Sequence, residues 1–151
     1  MTCYVLRPMV ADDLAAVVTI ERGCHQHPWT SNLFERELAN PLSRMTVVVA
    51  EEEIVGYLCV WIVAGEAEIH NIATARHWQR RGVASFVMEA LFRQLREEGI
   101  GRLLLEVRAS NLAALELYQR WGFETSCRRN GYYQDGEDAL LMHCELSISS
   151  S

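Results

Sequence analysis

The sequence predicts an α/β fold of the α+β sandwich kind, a mixed and mostly antiparallel sheet of about seven strands flanked by about four helices. Three observations carry this. Seven short β-rich runs alternate with four segments whose apolar residues recur at helical spacing. Two of the runs, 45–50 and 54–63, are joined only by the acidic turn Glu51-Glu52-Glu53, which reads as an antiparallel hairpin. A third strand, 66–74, is followed by a helix and then a strand at 102–107, and a strand, crossover helix and strand form a locally parallel pair.

Residues 4–7 read as the first strand. Asp12 or Asp13 can cap a helix carrying Leu14, Val17 and Val18 at helical spacing. "HQHPWTSNLFEREL" breaks that pattern at Pro28 and restarts it, with Thr30, Ser31 or Asn32 as cap and Leu33, Phe34 and Leu38 on one face, ending near Asn40-Pro41. After the hairpin and the third strand, Val83, Phe86, Val87, Ala90, Leu91 and Leu95 define the strongest helix, which Gly99 is placed to terminate. Ser110 or Asn111 starts the next helix, which runs through Leu115 and Tyr118 to Gly122. Strands at 123–128 and 139–146 flank the turn-rich "RRNGYYQDGED", and "SISSS" reads as a disordered tail. No repeat and no long linker divides the chain, so residues 1–146 read as a single domain.

With 151 residues, half of them apolar, the chain can bury one sizeable core. No apolar run approaches the roughly 20 residues of a membrane span, and the N-terminus lacks the pattern of a secretion signal. Five scattered cysteines without a C-x-x-C pair fit a reducing, cytoplasmic setting. Fourteen Lys+Arg against twenty Asp+Glu, a net charge of −6, disfavour direct nucleic-acid binding and favour a basic partner.

"HWQRRGVAS" places Arg80, Arg81 and Gly82 where a strand pattern gives way to a helical one. A helix start offers unused N–H donors and the positive end of the helix dipole, and small residues admit a phosphate closely. The same letters also describe a basic turn whose glycine merely eases the chain into the helix. Neither G-x-x-x-x-G-K-[ST] nor G-x-G-x-x-G occurs, which argues against Walker-type hydrolysis and Rossmann-type dinucleotide binding.

In "LLLEVR" alternation puts Leu103, Leu105 and Val107 on one face and Leu104, Glu106 and Arg108 on the other. Glu106 can be a solvated or Arg108-paired carboxylate, or a base at the C-terminal end of a strand where ligand sites gather. Tyr118 can be a packing aromatic or a proton donor. His25-x-His27 lacks a third nearby ligand and reads as polar loop rather than metal site. His70 can line a cleft, assist a base or pack as a hydrogen-bonded core residue, and Cys59 reads as a small core residue. The loop carrying Arg128, Arg129, Tyr132 and Tyr133 reads as a peptide-binding segment more readily than a nucleic-acid patch, because acids follow it.

"NIATARHWQRRGVASFVMEAL" followed by "LLLEVRASNLAALELYQRWGF" resembles the coenzyme-binding and catalytic segments of the GNAT acetyltransferases. The likeness extends from "HPW" to "EDALLM" and is nearest the RimI branch, whose members acetylate the N-terminal alanine of a small-subunit ribosomal protein. The resemblance implies a GNAT fold with a splayed parallel pair in mid-sheet. It implies acetyl-coenzyme A as cosubstrate and no metal. The pantetheine arm would lie along Ile72, Ala73 and Thr74, with the pyrophosphate held by Gln79, Arg80, Arg81, Gly82, Val83 and Ala84 and with Ser85 at the helix start. It further implies Glu106 as general base, Tyr118 as general acid and Asn111 as a coenzyme contact. Ala84, Ser85 and Thr74 depart from the family's more frequent glycine, basic residue and valine. The implied acceptor is the N-terminal segment of a ribosomal protein. Other N-termini, lysine side chains and small amines are the alternatives within the family, and a non-catalytic acyl-coenzyme A binding module is the alternative outside enzymology.

Overall fold

The computed structural model describes residues 2–146; the tail 147–151 lies outside them. Strands β1 (Val5–Pro8), β2 (Ser43–Ala50), β3 (Glu53–Val63), β4 (Glu66–Thr74), β5 (Arg102–Arg108), β6 (Glu124–Arg129) and β7 (Ala139–Glu145) form one sheet in the order β1-β2-β3-β4-β5-β7-β6. Helices α1 (Leu14–Cys24), α2 (Ser31–Leu38), α3 (Val83–Glu97) and α4 (Leu112–Arg120) flank it. Among the described residues only β4 and β5 pair in parallel.

Local chemistry explains most boundaries. Thr30 caps α2, its hydroxyl accepting from the Leu33 N–H at 3.2 Å, and Asn111 caps α4 by accepting from the Ala114 N–H at 3.2 Å. Asp13 does not cap α1. Its carboxylate is held by Arg7 at 2.7 and 2.8 Å and by the Val10 N–H at 2.9 Å, tying β1 to the turn before the helix. The hairpin turn is two residues, not three: Glu51 and Glu52 adopt φ of 52° and 65°, the left-handed pair that matches strand twist. Gly56 on β3 is required by close approach, since a Cβ there would lie 2.9 Å from the Ala73 carbonyl and 3.4 Å from Val83. The start of α3 therefore seats directly on the hairpin.

The core runs through Val47, Tyr57, Val60, Leu95, Leu103 and Met142, all essentially inaccessible to solvent. Cys59 belongs to it, as its sequence context predicts. Two features of β4 open the sheet. Cys59 pairs with Asn71 and Val60 with Ile69, so His70 is an extra residue that bulges the strand. Bulges bend the strand that carries them. The β4–β5 ladder ends at Ile69 and Leu105, immediately before the bulge, and beyond it β4 pairs only with β3 and β5 only with β7. The parallel pair thus splays into a V in mid-sheet.

Candidate active site

The V is a cavity of about 510 Å³. Ile69 to Ile72 of β4, Leu105 to Arg108 of β5, Asn111 and Tyr118 of α4, the Cys24–His27 segment and Tyr133 line it. Glu106 is the first residue of β5 beyond the parallel ladder, so the splay that ends the ladder also exposes its carboxylate to the cavity. Its partner is not Arg108: the Tyr133 hydroxyl donates to Glu106 Oε1 at 3.2 Å. Arg108 instead lies over the Tyr133 ring at 3.9 Å and pairs with Asp135 at 2.9 Å and Glu137 at 3.3 Å. Burial, reinforced by the charge of Glu106, pushes the Tyr133 phenol up to about 12, which keeps it a donor.

Tyr118 packs its ring against Phe123 (centroids 5.6 Å apart) and Trp121 (6.1 Å). Burial pushes its phenol up to about 12, and no hydrogen bond or neighbouring charge contributes. An ordinary phenol would sit near 10. The raised value makes proton donation to a thiolate more steeply uphill than an ordinary tyrosine's, and it also keeps the group fully protonated across the physiological range.

The predicted phosphate segment lies outside the lining of this cavity, beyond the end of β4. Gly82 stands at φ 83° as the residue before α3, and Arg80 also takes a positive φ of 61°. The first backbone bond of α3 runs from the Phe86 N–H to the Gly82 carbonyl, and among the described residues none of the N–H groups of Arg80, Arg81, Gly82, Val83, Ala84 and Ser85 is bonded within the protein. Apart from Gly82 itself and its chain neighbours, no atom lies within 4 Å of where a Gly82 Cβ would stand. Unused donors, open space and a helix dipole together suit a pyrophosphate.

The side chains contribute unequally. Val83 and Ala73 are buried, leaving only their backbone to offer. Arg81 lies over Trp78 at 3.9 Å while its carbonyl accepts from the Tyr4 hydroxyl, and Arg80 is exposed. Gln79 donates to the Thr74 carbonyl at 3.2 Å, and the Cys24 thiol donates to the same oxygen at 3.1 Å. Asn111 lines the cavity but already spends its side-chain oxygen on the α4 cap.

His70 is both packed and exposed to the cavity: it stacks on Trp61 at 4.1 Å, and its buried Nε2 has no hydrogen-bond partner. His25 and His27 diverge, His25 to Glu21 at 2.8 Å and His27 to Asp135 at 3.6 Å. The loop of Tyr132 and Tyr133 is anchored by Arg128 and the Gly131 N–H on Asp138, and by Ser110 on Glu137. Sequence reasoning missed Glu21, buried at 1% exposure beside Tyr57 and Asn71. A lone acid at mid-helix reads as a solvated face.

Residues 14–123 match the model of the acetyltransferase (GNAT) family. The chain is 35% identical over 144 residues to the [ribosomal protein bS18]-alanine N-acetyltransferase of Escherichia coli strain K12, covering 90% of this chain and 93% of that one. The crystal structure of the ribosomal-protein-S18-alanine N-acetyltransferase from Escherichia coli superposes with a TM-score of 0.88 at 30% identity, covering 99% of this chain and 97% of that one. A GNAT family acetyltransferase from Elizabethkingia anophelis with acetyl-CoA bound shares the fold at 18% identity and a TM-score of 0.78, over 95% of this chain and 98% of that one. The chain belongs to the GNAT acetyltransferase family.

Proposed function

We propose that this GNAT acetyltransferase moves an acetyl group from acetyl-coenzyme A to the α-amine of the N-terminal alanine of a small-subunit ribosomal protein, in the cytoplasm. The observation that carries the proposal is one cavity, opened by the splay of β4 from β5, that is lined by both Glu106 and Tyr118. The printed activity of the E. coli relative supports the choice of acceptor.

Bound acetyl-coenzyme A would supply an acetyl thioester. The edge of β4 at Ile72, Ala73 and Thr74 that β5 leaves unpaired would hold its pantetheine arm, with Asn111 beside it. The free N–H groups between Arg80 and Ser85 would hold its pyrophosphate, with Gln79 and Arg81 bracing the loop from behind. Glu106 takes one proton of the acceptor ammonium, the amine nitrogen forms its bond to the acetyl carbon as the carbon–sulfur bond breaks, and Tyr118 gives its proton to the departing sulfur. The second proton that the nitrogen sheds in becoming an amide restores the Tyr118 phenol, while Glu106 releases its own to solvent. Proton accounting needs one base and one acid, and the cavity offers one of each.

Acid–base arithmetic favours an N-terminus. An α-amine with a pKa of about 7.8 is roughly one-seventh neutral at about pH 7, whereas a lysine at about 10.4 is neutral only to roughly 0.04%. A single carboxylate base has far less work to do on the former. Incubation of the protein and acetyl-coenzyme A with a panel of peptides differing in their first residue, read by mass spectrometry, tests this. Acetylation confined to α-amines and strongest on alanine is expected; preferential acetylation of lysine side chains or small amines would overturn it.

A further inference from the structure

Glu21, on α1, is the most buried charged residue among those described, and every contact it makes is with a donor. Oε1 accepts from the Tyr57 hydroxyl on β3, from Asn71 Nδ2 on β4 at 3.0 Å and from His25 Nδ1 at 2.8 Å. Oε2 accepts from the Trp29 N–H at 2.8 Å. Burial alone would push this acid up, but the bonds from His25, the Trp29 N–H and Tyr57 outweigh it and hold Glu21 below its ordinary value. Of these donors, Asn71 and His25 also line the cavity that holds Glu106.

The ionised carboxylate only accepts, so the His25 nitrogen that faces it carries a proton. Three other donors already satisfy Glu21, and the pair does not require a charged imidazolium. A neutral ring protonated at Nδ1 keeps its lone pair on Nε2. Among the described residues, that Nε2 has no hydrogen-bond partner in the protein. The segment carrying it is pinned on both sides, at Glu21 through the helix and at Trp29 through its N–H.

We propose that Glu21 and His25 form a positioning pair on the acceptor side of the cleft: Glu21 fixes the Nδ1–H tautomer, and His25 Nε2 accepts a hydrogen bond from an N–H of the acceptor's terminal residue. The pair orients the amine for Glu106 and takes no proton itself. This role rests on the N-terminal acetyltransferase reading above.

The test uses the full chain, nitrogen-labelled at histidine, and an alanine-initiated peptide with acetyl-coenzyme A. The ring nitrogens of His25 should report the Nδ1–H tautomer, and Glu21→Gln should collapse that preference. His25→Ala should raise the KM for peptide about tenfold, the size of one hydrogen bond, with coenzyme affinity and kcat little changed. A wild-type His25 protonated at Nε2, or an unchanged peptide KM in His25→Ala, overturns the pair while leaving the function standing. A wild-type protein that acetylates no peptide N-terminus overturns the function and this role together.

Discussion

The Tyr133 hydroxyl donates to Glu106 across the mouth of the cleft at 3.2 Å, and the Arg108 guanidinium lies over the Tyr133 ring at 3.9 Å. The β6–β7 loop therefore reaches back to the carboxylate that β5 presents. Tyr133 of that loop, with Arg108 of β5 over its ring, sets the direction in which Glu106 points, and a carboxylate already aimed would need no reorganisation to act as the proposed base.

Tyr133→Phe removes that hydroxyl and leaves the ring and its cation contact. A neutral donor to a carboxylate contributes about 1.5–3 kcal/mol, so kcat/KM should fall by about one to two powers of ten. Steady-state rates with a peptide acceptor check this, and coenzyme affinity measured by calorimetry should not move. A variant with wild-type kcat/KM would mean the contact has no part in the reaction.

Tyr118, raised to about 12 by burial, stays protonated until pH rises through that value. The rate should therefore show no descending limb from this residue up to about pH 10.5, although an ordinary phenol near 10 would by then be mostly ionised. Tyr118→Phe should lower kcat by about 10²–10⁴ at neutral pH. A wild-type limb centred near pH 10 that vanishes in Tyr118→Phe would show that the phenol is not perturbed.

Gly82 occupies a left-handed conformation with empty space ahead of it, so a valine there would confuse strain with steric blockade. Asparagine tolerates that conformation better than other side chains. Gly82→Asn should weaken coenzyme binding by more than about tenfold while lowering stability by only about 1 kcal/mol, the low end of what a side chain costs in the left-handed region. Calorimetric titration of coenzyme A paired with denaturant unfolding separates the two; unchanged affinity would remove this loop from the coenzyme site.

Glu21 links acid stability to the cleft. Its folded value lies below its unfolded one, so the unfolded chain binds the extra proton first and stability rises with pH through that window. The contribution is complete above the ordinary glutamate value of about 4.3 and is lost as pH falls through the depressed folded value. Glu21→Gln leaves one of the four donors facing an amide NH2 that cannot accept, and should cost about 1–3 kcal/mol at pH 7. Denaturant unfolding should show the gap to wild type narrowing below about pH 4; a gap independent of pH would mean that Glu21 is not ionised in the folded protein.

What could be read from sequence follows from what is local. The strand at 66–74 alternates, the helix from Val83 repeats at 3.6 residues and stops at Gly99, and Thr30 and Asn111 cap where short polar residues precede apolar faces. Glu106 on its own pattern reads also as a solvated or Arg108-paired carboxylate, and only the resemblance to the GNAT acetyltransferases points to a base. What was hidden depends on distant partners. Glu21 meets Tyr57 and Asn71, 36 and 50 residues away, and Tyr133 meets Glu106 from 27 away. Asp13 looked like a helix cap until Arg7 claimed it. The turn at Glu51 and Glu52 uses two residues with no compositional taste for positive φ, so strand twist, not turn chemistry, sets it. The bulge at His70 leaves no periodic trace, because a single extra residue cannot be told from a change of face.

The central claim is that the carboxylate exposed by the splay of β4 from β5 activates a protein N-terminus. The most direct measurement compares wild type and Glu106→Gln, both saturated with acetyl-coenzyme A, on one alanine-initiated peptide that also contains a lysine, with the site of acetylation located by mass spectrometry. Wild type should add a single acetyl group at the α-amine. Glu106→Gln should bind the coenzyme normally and turn over about 10²–10⁴ times more slowly. Equal turnover by the two proteins, or acetylation of the lysine in preference to the α-amine, would contradict the account.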